Sequence, residues 1–171
     1  LSSAHISPSG CLVLNIVINI SSQTLTLWQK EHQLRHYTIS SALKGVGEQS
    51  GSEQTPRGAH IIRAKIGANQ PLNTVFRARR PTGEIYNAEL AEKFPKRDWI
   101  LTRILWLSGC ELGKNRLGQC DTMRRYIYIH GTPDTEPMGV PLSHGCIRMR
   151  NQDIVELFTL VPVFTPVLIV E

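Results

Sequence analysis

The feature that most restricts the fold is a series of short β-branched runs separated by turn residues. Residues 12–20 read Leu-Val-Leu-Asn-Ile-Val-Ile-Asn-Ile. The run is branched at most positions and bounded by polar residues, which marks a buried strand rather than a helix. Ser21, Ser22 and Gln23 form a turn, and residues 24–28 alternate as the partner strand. A bend over 29–33 leads to a further strand over 34–41. More strands are expected over 60–66, 73–79, 84–86, 99–107, 125–130 and 165–170. Two helices interrupt them. One covers 87–94, with Asn87 as its cap and Pro95 ending it. The other covers 152–160, with Asn151 as its cap and Ile154, Val155, Leu157 and Phe158 on one apolar face. The expected architecture is mainly β, a β-sandwich-like sheet pair with one or two short helices.

At 171 residues one domain is the default. It is read over 12–171, behind an N-terminal tail of residues 1–11. The formal charge of +5 suits an acidic partner. Nucleic acid is not indicated, because the densest basic group, Arg77, Arg79 and Arg80, is short and lacks an aromatic platform. No apolar run reaches the roughly 18 residues of a transmembrane segment. The glycine-rich stretch 44–58 lacks the Lys-Ser/Thr of a phosphate-binding loop. His60 is expected on a strand surface. Cys11, Cys110, Cys120 and Cys146 form no CxxC pair, although Cys110 and Cys120 can pair in an oxidising compartment.

The chemistry concentrates between 130 and 149. The run Arg125-Tyr-Ile-Tyr-Ile-His130 should deliver His130 at the end of a strand. A Gly/Pro/Asp/Thr-rich loop then returns the chain to Ser143-His144-Gly145-Cys146. A cysteine needs a base to become a thiolate, and that base needs a third group to orient it. His130 and His144 are both candidates, and spacing alone leaves the choice open. Gly145, without a Cβ, lets a substrate approach its backbone, and the N–H groups of Gly145 and Cys146 can form an oxyanion hole. A zinc site of His130, His144 and Cys146 lacks a fourth ligand in any recognisable frame. No metal or other cofactor is therefore expected.

His130-Gly131-Thr132 followed by Ser143-His144-Gly145-Cys146-Ile147-Arg148, with 12 residues between His130 and Ser143, resembles the signature of the L,D-transpeptidase (YkuD-type) catalytic domain. Residues 14–28 resemble its opening hairpin, and Thr55-Pro56-Arg57-Gly58 its TP-x-G turn, so the likeness runs from about residue 12 to the end. It implies Cys146 as nucleophile, His130 as base and the Gly131 carbonyl as the group orienting it, with His144 and Ser143 lining the pocket. Arg148 would be a fork for a substrate carboxylate, and Arg57, Trp106 and Tyr128 would stand along the cleft. The implied substrates are peptidoglycan stem peptides, cleaved between meso-diaminopimelate and D-alanine through a Cys146 thioester.

Water as acceptor makes such an enzyme an L,D-carboxypeptidase of murein recycling; an amine makes it a transpeptidase forming 3→3 cross-links. The sequence opens on Leu1 without a basic, cleavable leader and shows no appended wall-binding repeat. On that ground water and a cytoplasmic location are the expectation. A periplasmic transpeptidase and a non-catalytic cell-wall-binding domain are the alternatives.

Overall fold

The computed structural model describes residues 13–171; the expected tail, Cys11 and Leu12 lie outside them. Among the described residues the chain is mainly β with two helices. The strands are β1 (Leu14–Asn19), β2 (Thr24–Gln29), β3 (His32–Ser40), β4 (Gly58–Ile66), β5 (Thr74–Arg77), β6 (Arg80–Ile85), β7 (Leu101–Gly109), β8 (Tyr128–Thr132), β9 (Ile147–Arg150) and β10 (Pro166–Val170). Helix α1 (Ala88–Lys93) follows β6, and α2 (Asn151–Leu160) follows β9. No helix among the described residues is long and apolar enough to cross a membrane.

The strand order is β4-β10-β1-β2-β3-β9-β8-β7-β5-β6, and β4 also pairs with β7. That last pairing joins the sheet to itself, so the expected sandwich is one ring of strands whose halves face each other. Closure leaves only the β5–β6 hairpin projecting from β7, and it satisfies edges that an open sheet would expose.

The alternation in β1 and β2 explains the interior. Leu14, Ile16 and Ile18 point inward with Leu25 and Leu27, while Asn15, Val17 and Asn19 face outward. Ile154, Leu157 and Phe158 of α2 complete this core, and each fully buried side chain of this size contributes about 1.5–3 kcal/mol. Val155, expected on the same face, is only half-buried. Asn87 caps α1 as expected, its side chain accepting from the Leu90 N–H at 2.8 Å. Outside the ring a second cluster forms from Phe76, Ile104 and Tyr128, with Trp106 and Cys146 packed on it.

Three expectations change, and one question left open by the sequence, the pairing of Cys110 with Cys120, is answered. Asn151 does not cap α2; Arg150 holds that position without a side-chain bond, and Asn151 is buried in a polar network described below. The strand leading to His130 begins only at Tyr128, because Tyr126 takes a positive φ of 57°, and it continues through His130 to Thr132. Cys110 and Cys120 are both free thiols.

His60 is also not on the surface. It shares the inward parity of Ile62, is 1% exposed, and bonds the Gly58 carbonyl and the Thr122 hydroxyl at 3.0 and 2.9 Å. Burial pushes its pKa down to about 4, outweighing the Gly58 carbonyl and the negative charge of Glu111. An unfolded histidine takes up its proton near pH 6.5, so the unfolded chain binds more protons between the two values. The stability that neutral His60 contributes is therefore complete above about pH 6.5 and lost as the pH falls to about 4, by up to about 3 kcal/mol. Thermal unfolding at pH 7 and pH 4 checks this: His60→Gln should be less stable at pH 7 but show a smaller loss on acidification than the parent chain.

Candidate active site

The site is built on the outer face of β8 and β9. These strands run parallel with Ile129 opposite Ile147 and His130 opposite Arg148. Side chains alternate along each strand, so Ile129, Ile147 and Met149 enter the core while Tyr128, His130 and Arg148 share the opposite face. Cys146, just before β9, joins that face beside Tyr128. The strand β9 was not anticipated, and it is what carries Cys146 to His130. Together they line a cleft of about 420 Å³ with Tyr126, Ser143, His144 and Arg148.

His130 is 1% exposed, and its Nδ1 lies 2.6 Å from the Gly131 carbonyl. That contact places the proton on Nδ1 and leaves Nε2 as the acceptor. Burial lowers the His130 pKa; the Asp98 charge and the Gly131 carbonyl oppose this, and Arg148 adds to it. Gly131 has no alternative at its position. A Cβ there would lie 2.4 Å from Asn151 Oδ1 and 2.6 Å from the Leu101 carbonyl. Asn151 accepts from Thr102 Oγ1 at 2.5 Å and donates to the Thr132 carbonyl at 2.9 Å, so it braces the strand just beyond His130. Thr102 is a fully buried β-branched residue at φ 73°, a costly conformation placed at the bulge of β7 opposite this network.

The Cys146 thiol accepts from the Tyr128 N–H at 3.3 Å and donates to the Tyr126 carbonyl at 3.4 Å. Its proton is thus directed at the Tyr126 carbonyl, and transfer to His130 Nε2 requires rotation about the Cβ–Sγ bond. Burial pushes the thiol up to about 12, with Asp98 adding to the rise; the Tyr128 N–H, Arg148 and Arg125 pull the other way.

Ser143 lines the cleft as expected, but its hydroxyl takes up the Gly145 N–H. The Ser143 hydroxyl donates to the Cys146 carbonyl at 2.6 Å and accepts from the Gly145 N–H at 3.2 Å. Ser143 therefore shapes the loop while lining the cleft, and the Gly145 N–H is occupied. Of the two expected oxyanion donors this leaves the Cys146 N–H. Gly145 has a φ of 134°, which suits glycine, and its carbonyl accepts from Thr55 Oγ1 at 2.9 Å. The Thr55-Pro56 turn thereby meets the cysteine loop.

The remaining candidates divide. His144 is exposed at the mouth of the cleft, its Nδ1 3.6 Å from Asp98 Oδ2. Arg148 donates to Asp98 Oδ1 at 3.0 Å, with its side chain 11% exposed. Tyr128 lines the cleft. Trp106 stands behind it, edge-on to Tyr128 with ring centres 5.9 Å apart, and bonds the Met123 carbonyl. Arg57 is elsewhere: its Nε is 2.8 Å from Glu48 and its Nη1 3.3 Å from Glu171, in a separate depression beside Lys114 and Cys120. An adjacent carboxylate claims its guanidinium, so Arg57 does not line the cleft. Among the described residues no three His, Cys, Asp or Glu side chains converge as metal ligands.

Asp98, Arg125 and Asn151 were not anticipated as site residues. Arg125 reaches the Gln54 carbonyl at 2.6 Å and the Gly47 carbonyl at 3.2 Å, tying the 44–58 loop to the cleft. Nothing in the local sequence around Asp98 signals its place.

A β ring carrying a cysteine and a buried, carbonyl-oriented histidine in one cleft has the layout of a thiol acyl-transfer domain. A model of the YkuD-type L,D-transpeptidase catalytic domain matches residues 15–169, and the chain belongs to that family. It is 44% identical over 148 residues to a candidate L,D-transpeptidase, YkuD, of Bacillus subtilis, covering 86% of this chain and 60% of that protein. Over 43 residues, 25% of this chain and 14% of the other, it is 51% identical to the probable L,D-transpeptidase YbiS of Escherichia coli K12. The chain thus spans about 60% of the length of the YkuD relative. An L,D-transpeptidase structure from Mycobacterium smegmatis superposes with a TM-score of 0.55 at 19% identity, covering 93% of this chain and 59% of that one. L,D-transpeptidase 3 of Mycobacterium tuberculosis gives 0.57 at 16% identity, covering 93% and 61%. At these identities the structures establish the shared fold.

Proposed function

We propose that this domain is a cysteine acyltransferase that acts on peptidoglycan tetrapeptide stems, cleaving the meso-diaminopimelate–D-alanine bond through a thioester on Cys146. The observation that carries the reading is the in-register β8–β9 pair, which puts Cys146 and a histidine with Nδ1–H held by Gly131 on one face of one cleft. The thiol gives its proton to His130 Nε2 as sulfur attacks the carbonyl carbon. The new oxyanion forms within reach of the Cys146 N–H. Collapse breaks the C–N bond, and His130 returns the proton to the departing D-alanine amine. The Arg148 guanidinium offers a planar fork to a substrate carboxylate, which would compete with Asp98 for it.

Water attacking the thioester yields a tripeptide, as in cytoplasmic recycling of wall peptides. An amine yields a cross-link, as in periplasmic wall synthesis. Acylation is common to both. Mass spectrometry after incubation with a disaccharide-tetrapeptide tests the reading. A Cys146 adduct lacking D-alanine is expected, and it should disappear in Cys146→Ala. Binding of the muropeptide without any adduct would leave a non-catalytic wall-binding domain instead.

A further inference from the structure

The basic run at the tip of the β5–β6 hairpin sends one arginine into the Cys146 cleft. Arg77 pairs with Arg80 across the hairpin, so Ala78 and Arg79 are the two residues of its turn. Both take a positive φ, 47° and 63°, as the favoured two-residue hairpin turn requires. Neither is a glycine or an asparagine, so the turn is strained and persists only where its surroundings fix it. The Arg79 side chain does the fixing. Its Cζ lies 4.7 Å from the ring centre of Tyr126 and 4.9 Å from that of Trp106, and its Nη1 donates to the Tyr128 hydroxyl at 2.9 Å. Arg79, Tyr126 and Tyr128 all line the cleft that holds Cys146.

Three arginines line this cleft, and two of them are engaged by the protein. Arg148 is paired with Asp98 at 3.0 Å. Arg125 gives its donors to the Gly47 and Gln54 carbonyls and the Ser52 hydroxyl. Arg79 has no carboxylate within ion-pair distance among the described residues. The Tyr128 hydroxyl takes one of its five N–H donors, the one hydrogen bond its guanidinium makes among those residues. A charged fork is thus held over two aromatic rings with most of its donors unused.

We propose that Arg79 is a specificity-determining residue for the donor stem: it receives a stem carboxylate other than that of the departing D-alanine, so that the enzyme tells a free stem acid from its amide. The inference rests on the acyltransferase reading above and names the form of stem that reading takes. Two groups offer this chemistry, the side-chain carboxylate of diaminopimelate and the α-carboxylate of the γ-linked glutamate before it. Either presents two acceptor oxygens and a negative charge to the planar fork. A carboxamide presents one acceptor oxygen, carries no charge and turns its own N–H donors toward those of the guanidinium. Because the aromatic platform already holds Arg79 in place, little side-chain freedom is lost when the carboxylate arrives.

The test follows acylation of the chain in a single turnover by intact-mass spectrometry. Three disaccharide-tetrapeptide donors are compared, the free acid, the diaminopimelate amide and the glutamate amide. The parent chain should be acylated at least about tenfold faster by the free acid than by one of the amides, the effect of one charge-assisted bond, and the slow amide identifies the carboxylate. Arg79→Gln should bring that ratio within about twofold of unity, with the loss falling on the free acid. Arg79→Lys, which keeps the charge without the fork, should retain a preference of about threefold or more. Equal rates from all three donors in the parent chain overturn the proposal without recourse to any variant. An Arg79→Gln effect of equal size on acid and amide overturns it too, and leaves Arg79 as a clasp for the hairpin alone. In both cases the thioester reading stands. Absence of the thioester from every donor removes that reading, and the specificity falls with it.

Discussion

At pH 7, Cys146 is expected to react with iodoacetamide about a hundredfold more slowly than a free cysteine. Its thiol is pushed up to about 12 against an ordinary value of about 8.5, which leaves roughly 10³-fold less thiolate. The more basic thiolate is intrinsically more nucleophilic and recovers part of the difference, roughly 30- to 50-fold. The reaction should therefore rise about tenfold per pH unit to at least pH 10, followed by peptide mapping so that the free thiols Cys110 and Cys120 do not obscure it. A plateau below pH 7 would mean instead a resting thiolate–imidazolium pair. With His130 also disfavoured as a cation by burial, both groups are expected to rest neutral, with proton transfer coupled to attack on the substrate. His130→Gln should accordingly change alkylation little while slowing thioester formation by about 10²–10⁴-fold, the usual range for a general base. Equal loss in both assays would show that His130 activates the resting thiol directly.

Gly131→Ala should be both destabilising and nearly inactive. A glycine-to-alanine change at an ordinary backbone position commonly stabilises by about 0.4–1 kcal/mol, through the unfolded chain. Here the new methyl group would meet Asn151 Oδ1 at 2.4 Å and the Leu101 carbonyl at 2.6 Å, neither of which can swing away from its own bonds. Overpacking of this kind costs about 1–3 kcal/mol, so the sign reverses. Relief requires β8 to move, and with it the carbonyl that holds His130 Nδ1. A displacement near 1 Å at such a group can cost about 10²-fold in rate. Thermal unfolding together with the single-turnover acylation rate reads both effects. Loss of stability with full activity would show that the Gly131 carbonyl does not orient the base.

Local pattern carried much of this molecule. The branched runs of β1, β2 and β10, the Asn87 cap and the apolar face of α2 are short-range features, and their periodicity is written in consecutive residues. Cys146 and His130 could likewise be paired from the motif that contains both. Reading failed where the same residue type serves two ends. His60 in a strand reads as surface until the parity of Ile62 is known to face inward. Asn151 has the chemistry of a helix cap, but Thr102 and Thr132 from other strands claim its amide. Arg57 reads as a substrate ligand until Glu48 folds against it.

By itself, then, the sequence determined the mainly β character and the family signature, and it singled out Cys146 as the candidate nucleophile with its candidate bases, because each rests on spacing within one segment. The tertiary structure decided the rest. It closed the sheet through β4–β7, set β8 parallel to β9 so that Tyr128, His130 and Arg148 share a face, and brought Asp98 from a remote loop into the Cys146 cleft. It also placed the thiol in surroundings that hold its proton. Those outcomes depend on register, closure and burial, which are properties of segments brought together and have no counterpart along a single stretch of chain.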